Sequence, residues 1–154
     1  QEVFFFGTPA DDPRFDDGRC PVWIEHGERF LYGIPGNQRR GFKVADDTRG
    51  PLIDPTTEER LPTAEGLDRA RQLLARRFPA LAGAPVVETR VCQYEQSPDG
   101  HFILDRHPAA DNVWLAGGGS GHGFKMGPAV GELLAGLVLG TAHPEPQFSL
   151  ARLS

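Results

Sequence analysis

Short apolar runs, separated by polar stretches rich in glycine and proline, occupy most of the chain and predict β-strands joined by turns. The predicted strands cover residues 3–7, 21–25, 28–33, 41–44, 85–94, 101–105 and 112–116. His26-Gly27, between the second and third strands, is typical of a hairpin, and Pro35-Gly36-Asn37 predicts a turn. We therefore expect a sheet that is largely antiparallel.

Two longer segments have the apolar spacing of amphipathic helices. The first covers about residues 63–78, with Thr63 as a candidate N-cap and Pro79 after its end. The second covers residues 124–139, and Gly140 is placed to end it.

Together these elements predict an α+β fold. Residues 1–110 are expected to form a mixed, largely antiparallel sheet with one packed helix. Residues 111–154 are expected to form a strand, a glycine-rich loop and a helix.

Composition limits the classes of partner. The chain has 154 residues, of which 39% are hydrophobic and 24% charged, as is typical of a globular protein. Its formal net charge of −5 is spread along the chain and argues against a nucleic-acid partner. The longest apolar run near an end, residues 3–6, is too short to cross a membrane. We therefore expect neither a nucleic-acid nor a membrane partner.

The cysteines and the methionine indicate where the protein is located in the cell and whether the sequence is part of a longer chain. Cys20 and Cys92 are the only cysteines, so they form either one disulfide or two free thiols. So few cysteines favour free thiols in a reducing compartment, and hence a cytoplasmic location. The sequence begins with Gln1 and its one methionine is Met126, so we expect a fragment of a longer protein.

Residues 117–123 form a glycine-rich loop between a predicted strand and a predicted helix. Glycine lets the backbone approach a flat or charged ligand closely, and a helix N-terminus attracts anions. The dinucleotide fingerprint requires glycine where the chain has His122 or Phe124, and the P-loop requires Ser or Thr after Lys125. The pattern alone therefore indicates either a ligand-facing turn or an ordinary tight turn.

A second group of polar residues alternates along a predicted strand. His101, Asp105 and His107 could share one strand face, which leaves both a metal site and an ion-pair network open. Cys92 paired with His101 or His122 could also serve as a thiol nucleophile. A small metal- or thiol-dependent hydrolase is therefore one alternative function.

Residues 92–108 resemble the covalent-flavin segment of the monomeric sarcosine oxidase, N-methyltryptophan oxidase and pipecolate oxidase family, within the wider D-amino acid oxidase superfamily. The family pattern is Cys-x-Tyr, then Pro-Asp-x-His-Phe, then Asp-x-His-Pro, and all three parts occur here in order. Further matches are Ser120-Gly121-His122-Gly123-Phe124-Lys125, Tyr32-Gly33-x-Pro35, Gly41-Phe42-Lys43 and residues 148–152. The resemblance covers nearly the whole chain.

The resemblance implies FAD as the cofactor and assigns its contacts. Cys92 matches the cysteine whose sulfur is attached covalently to the 8α-methyl of the flavin. The residues expected along the flavin are Gly121, His122, Gly123, Phe124 and Lys125.

It also implies the substrate contacts. Lys125 matches a lysine that holds the substrate carboxylate, and Tyr32 and Tyr94 match residues lining the substrate pocket. Lys43 matches a lysine that acts near flavin N5 through a water and assists the reaction with O2. Asp47 stands where the family often has histidine, so the polarity of the pocket is expected to differ.

The implied parent enzyme oxidises the C–N bond of a small amino acid or amine to an imine and reduces O2 to H2O2. The family's N-terminal dinucleotide-binding unit is absent from these residues. The isolated chain is therefore expected neither to retain FAD nor to be active, and its expected partner is that N-terminal half. The alternative within this fold is a non-catalytic scaffold or subunit domain that docks a separate FAD-binding chain.

Overall fold

A computed structural model describes residues 1–36 and 40–153, and the chain divides into two compact units, Gln1–Gln93 and Tyr94–Ser154. These units are defined by contacts within the 154 residues and therefore do not test the domain boundary expected after residue 110. That boundary, between two domains of a longer parent protein, stays a prediction. Asn37, in the turn predicted at residues 35–37, lies outside the described residues.

The first unit is built on a five-stranded sheet in the order β2-β3-β4-β1-β5, in which every neighbouring pair is antiparallel. Its strands are β1 (Glu2–Phe6), β2 (Trp23–His26), β3 (Phe30–Ile34), β4 (Phe42–Asp46) and β5 (Val86–Val91). Among the described residues of this unit, one α-helix forms, α1 (Ala64–Arg77).

Side chains of β1, an inner strand between β4 and β5, are buried on both faces of the sheet, as its continuous apolar run predicts. Phe4 and Phe6 contribute to the larger core cluster together with Leu73 and Leu74 of α1. Val3 and Phe5 point to the opposite face, where they form a smaller cluster with Ala45. Helix α1 therefore packs on one face of the sheet only.

The boundaries of α1 agree with the sequence signals. The Thr63 hydroxyl accepts a hydrogen bond from the Gly66 amide at 3.0 Å, as a helix N-cap does. The Glu2 carboxylate accepts a further bond from the Thr63 amide at 2.5 Å, which ties the helix start to β1. The helix ends before Phe78, and Pro79 follows.

The second unit contains the hairpin of β6 (Ile103–Arg106) and β7 (Trp114–Gly117), followed by α2 (Gly123–Leu139). Gly140 ends α2 with a left-handed φ of 71°. Two short 3-10 segments, Pro146–Phe148 and Leu150–Leu153, follow. Neither α-helix of the described residues combines the length and apolar content needed to span a bilayer.

The α+β class, the largely antiparallel pairing and the packed helix are all confirmed. Several predicted strand bounds need correction. The strand expected at residues 85–94 covers only Val86–Val91, so Cys92 and Tyr94 lie beyond it, and the strands expected from residues 21 and 112 begin at Trp23 and Trp114. The strand expected from His101 begins at Ile103. It pairs with β7 and takes no part in the five-stranded sheet.

Candidate functional site

Tyr32 and Lys43 lie on the face of the five-stranded sheet opposite α1, which we call the Lys43 face. Lys43 of β4 is paired with Phe5 of β1, and Tyr32 of β3 is paired with Ala45 of β4. Antiparallel partners point to the same side of a sheet. The alternation of side chains along each strand therefore gathers these residues around the small cluster of Val3, Phe5 and Ala45.

The ammonium of Lys43 lies over the ring of Tyr32, 4.9 Å from its centroid. This is cation–π geometry, in which the negative ring face attracts the charge. Lys43 is half-buried and, within the described residues, makes no ion pair with a carboxylate. A positive charge is thus held on this face without being neutralised by a neighbour there.

Cys92 extends the same face just beyond β5. Its amide donates to the Gln1 carbonyl at 2.7 Å, and the Gln1 amino group donates to the Cys92 carbonyl at 2.8 Å. The Cys92 side chain is half-buried against the Val3 cluster. Strand spacing puts the α carbons of Lys43 and Cys92 roughly 17 Å apart.

The two cysteines are free thiols, which resolves the alternative left open by the sequence. Cys20 packs against the larger core cluster on the α1 side of the sheet, whereas Cys92 packs on the Lys43 face. Burial raises the pKa of the Cys20 thiol. Cys92 is therefore the cysteine whose position suits a ligand on the Lys43 face.

In the second unit, residues 117–122 form a sharp turn between β7 and α2, which we call the glycine turn. Gly118 and Gly121 have φ values of 71° and 86°, and Ser120 has 46°, all in the left-handed region. The ring of Tyr94 lies against Gly121, where an added Cβ would be 2.5 Å from Cε2. Glycine is required at this position by both backbone angle and space.

A buried pair of serines joins the glycine turn to the preceding motif. Ser97 and Ser120 are each only 3% exposed. The Ser97 amide donates to the Ser120 hydroxyl at 3.3 Å, and the Ser120 amide donates to the Glu95 carbonyl at 2.9 Å. The two sequence motifs, residues 92–108 and 120–125, therefore meet here through Tyr94, Glu95 and Ser97.

Helix α2 begins directly after the glycine turn, with His122 as its N-cap residue. No side chain caps its first backbone N–H groups, so these donors and the positive end of the helix dipole are available to a ligand. Lys125 is exposed in this first turn and, within the described residues, forms no ion pair. The Phe124 side chain is fully exposed.

His101, Asp105 and His107 do not form the shared strand face that their spacing predicts. Only Asp105 lies in β6, and it accepts hydrogen bonds from the Leu150 amide at 2.7 Å and the Ser149 hydroxyl at 3.0 Å. Burial alone raises the pKa of Asp105, but these bonds and one from its neighbour's amide hold that pKa below its usual value. Across residues 1–36 and 40–153, no three His, Cys, Asp or Glu side chains are grouped to hold a metal.

Residues 4–137 match the family model described as FAD dependent oxidoreductase. The chain belongs to this family. The monomeric sarcosine oxidase of Bacillus sp. (strain NS-129) is 39% identical over 135 residues, which are 85% of this chain and 34% of that protein. The N-methyl-L-tryptophan oxidase of Salmonella dublin is 32% identical over 154 residues, 94% of this chain and 40% of that protein.

Solved structures support the fold of this FAD-dependent oxidoreductase chain. L-proline dehydrogenase from P. horikoshii superposes with a TM-score of 0.76 at 24% identity, over 99% of this chain and 38% of that one. Amadoriase I from Aspergillus fumigatus superposes with a TM-score of 0.74 at 23% identity, over 96% and 36%. The chain therefore spans well under half the length of the relatives it matches.

The residues present fit part of an FAD site. In the second unit, the uncapped start of α2 suits an anionic group of the cofactor. In the first unit, the side-chain nitrogen of Gln93, next to Cys92, is buried and has no hydrogen-bond partner within the described residues. The fingerprint that would hold the ADP portion does not occur in the 154 residues, so no residue of the chain is assigned to that portion.

Proposed function

We propose that this chain is the C-terminal part of an FAD-dependent oxidase of small amino acids or amines. FAD, when bound, would accept a hydride equivalent from the carbon next to the amine nitrogen, and O2 would take up the two electrons with two protons, so that the products are an imine and hydrogen peroxide. One observation carries the proposal: Lys125 is an exposed ammonium in the first turn of a helix whose N–H groups no side chain caps. The names of two similar proteins, monomeric sarcosine oxidase and N-methyl-L-tryptophan oxidase, support this substrate class.

In this proposal Lys125 binds the carboxylate of the substrate. Its ammonium donates charge-assisted hydrogen bonds, and the helix dipole adds attraction within the first turn. Tyr94, which lies against Gly121 in the glycine turn, lines the substrate pocket. The backbone from Gly121 through His122 and Gly123 to Phe124 lies along the flavin.

The Lys43 face contacts the flavin in the same proposal. Cys92 would supply the sulfur for a thioether to the flavin 8α carbon; forming it would remove one hydrogen from the thiol and one from the 8α-methyl, with O2 as the final acceptor of the two electrons. The Cys92 side chain is half-buried, so a ligand on this face can reach it. Lys43 holds a positive charge where negative charge develops during the reduction of O2. Tyr32 keeps that ammonium on the face through the cation–π contact and lines the pocket.

The proposed partner is the N-terminal FAD-binding half that the family resemblance implies. Helix α2 leaves large apolar side chains exposed: Phe124, Met126, Val138 and Leu139. An apolar helix surface of this kind is normally covered in a folded protein. Without the FAD-binding half, we expect the isolated chain to bind FAD weakly or not at all. The free thiols favour a cytoplasmic location.

The test is anaerobic mixing of the full-length protein that contains this chain with sarcosine and other N-methyl amino acids. We expect the oxidised flavin absorbance to disappear and to return on admission of air, with release of hydrogen peroxide. Lys125→Met is expected to raise KM for the amino acid, whereas Lys125→Arg, which keeps the charge, recovers part of the loss.

Two outcomes would overturn the proposal. A full-length protein that carries no flavin, or a bound flavin that no amine reduces, contradicts an amine oxidase. Flavin that appears only after a separate FAD-binding chain is added would favour the scaffold alternative instead.

A further inference from the structure

The C-terminal segment, residues 146–153, reaches the candidate site through Arg152. The Arg152 side chain is only 14% exposed. Its Nε donates to one Asp99 oxygen at 2.6 Å and its Nη2 to the other at 3.0 Å, a bidentate pair. Nη2 also donates to the His101 carbonyl at 3.2 Å. That carbonyl accepts from the Ser97 hydroxyl at 2.7 Å, and Ser97 is bonded to the glycine turn.

Phe148 makes a second connection to the same turn. Its ring centroid lies 6.0 Å from that of Phe102, edge to face. The Phe102 ring in turn lies 5.2 Å from the ring of His122, again edge to face. His122 is the residue at which α2 begins, and its Nε2 is 3.1 Å from the Gly100 carbonyl. Phe148 therefore restrains the ring that precedes the open helix start.

Asp105 attaches the C-terminal segment to a rigid element. The carboxylate lies on β6 and accepts bonds from Ser149 and Leu150, the residues between Phe148 and Arg152. The middle of the segment is thus fixed to a strand. On one side of this attachment Arg152 is linked to Ser120 of the glycine turn, and on the other side Phe148 is linked to His122.

We propose that residues 146–153 are a positioning element for the carboxylate site, in which Arg152 and Phe148 hold the glycine turn and the start of α2 in the binding form. This proposal rests on the proposed function of Lys125. Neither residue touches the ligand, so each acts through other residues. The N–H groups of a helix start bind an anion well only when they are held in place beforehand.

The first test needs no cofactor: amide hydrogen exchange across residues 117–125 in the 154-residue chain. We expect Arg152→Gln to raise exchange across residues 117–125 by about tenfold or more, because its hydrogen bonds to Asp99 and to the His101 carbonyl, through which the C-terminal segment acts on the turn, are lost. The matched control is Arg106→Gln. Arg106 bonds to the Asp111 carbonyl in the same hairpin and makes no described contact with the glycine turn.

The second test uses the flavin-loaded full-length protein and acetate as a carboxylate probe, followed by flavin absorbance. Arg152→Gln and Phe148→Ala should weaken acetate binding by about tenfold or more and raise KM more than they lower kcat. Arg152→Lys and Phe148→Leu, which keep the charge and the apolar contact, should recover part of the affinity.

Unchanged exchange and unchanged acetate affinity in folded Arg152→Gln would overturn the positioning role, as would equal effects of Arg106→Gln. Because exchange is measured without flavin, a protein that shows the exchange effect but binds no flavin contradicts only the proposed function. If Arg152→Gln does not fold, the comparison of Phe148→Leu with Phe148→Ala decides the same question.

Discussion

Replacing Gly121 with alanine tests the geometry of the glycine turn. Its φ of 86° is left-handed, which costs a non-glycine residue about 1–2 kcal/mol. The new methyl group would also lie 2.5, 2.8 and 2.9 Å from three carbons of the Tyr94 ring. Relieving such an overlap typically costs about 1–3 kcal/mol. Together the two effects should lower the free energy of unfolding of the second unit by about 2–5 kcal/mol.

Urea unfolding followed by tryptophan fluorescence measures this loss. A Trp23→Phe background leaves Trp114 of β7 as the one tryptophan, so the signal reports the second unit. Gly131→Ala in α2 is the matched control, because nothing beyond its chain neighbours and the helix's own backbone lies within 4 Å of its added Cβ. That control should be neutral, or stabilising by up to about 1 kcal/mol.

A double-mutant cycle separates the two causes. In a Tyr94→Ala background the methyl group meets no ring, so Gly121→Ala should cost only the backbone part, about 1–2 kcal/mol. A loss no larger than that of Gly131→Ala would refute the reasoning. So would a Gly121→Ala cost that is the same with and without the Tyr94 ring.

Two further predictions concern charge. In the full-length protein, Lys43→Met should slow reoxidation of the reduced flavin by O2 by about 10²-fold or more, while anaerobic reduction of the flavin by substrate changes far less. Stopped-flow measurement of both half-reactions checks this prediction. Equal slowing of the two half-reactions would contradict it. The hydrogen bond from the Arg152 side chain lowers the pKa of Asp99 in the folded protein. The ionised Asp99 carboxylate therefore stabilises the fold fully above about pH 4, the usual pKa of an unfolded aspartate, and this stabilisation is lost as the pH falls through the lower pKa of the folded state. Asp99→Asn should therefore lower the urea midpoint of unfolding at pH 6, and its difference from wild type should shrink below about pH 4. Asp111→Asn serves as the control, because the Asp111 carboxylate is 98% exposed. A difference between Asp99→Asn and wild type that stays constant across pH would refute the stabilising role of the ionised Asp99.

Local elements could be predicted from the sequence because their signals are local. The N-cap at Thr63, the stop at Gly140 and the buried run of β1 each depend on neighbouring residues. Strand order could not be predicted in the same way. The pairing of β1 with β5 joins residues far apart in sequence, and β6 pairs with β7 although its polar alternation resembled a metal-binding strand.

The candidate site was only partly visible in the sequence. The two motifs identify Cys92 and Lys125, but nothing in them shows that Arg152 and Phe148 bear on the same turn, because those contacts depend on tertiary packing. One compositional signal does point to the site: Lys43 and Lys125 are the only lysines in the chain. The ion pairs of the described residues all use arginine, whose planar fork suits carboxylates, so the two lysines stand apart from the structural charge network.

The central claim is that the Lys43 face lies against a flavin, and Cys92 allows a direct measurement. Intact mass of the full-length protein under denaturing conditions should show an added mass equal to FAD less two hydrogen atoms, one lost from the thiol and one from the flavin 8α-methyl. That mass should be lost in Cys92→Ala and kept in Cys20→Ala, since Cys20 packs on the opposite side of the sheet. An unmodified mass in the wild-type protein, or an added flavin mass that persists in Cys92→Ala, would contradict the account.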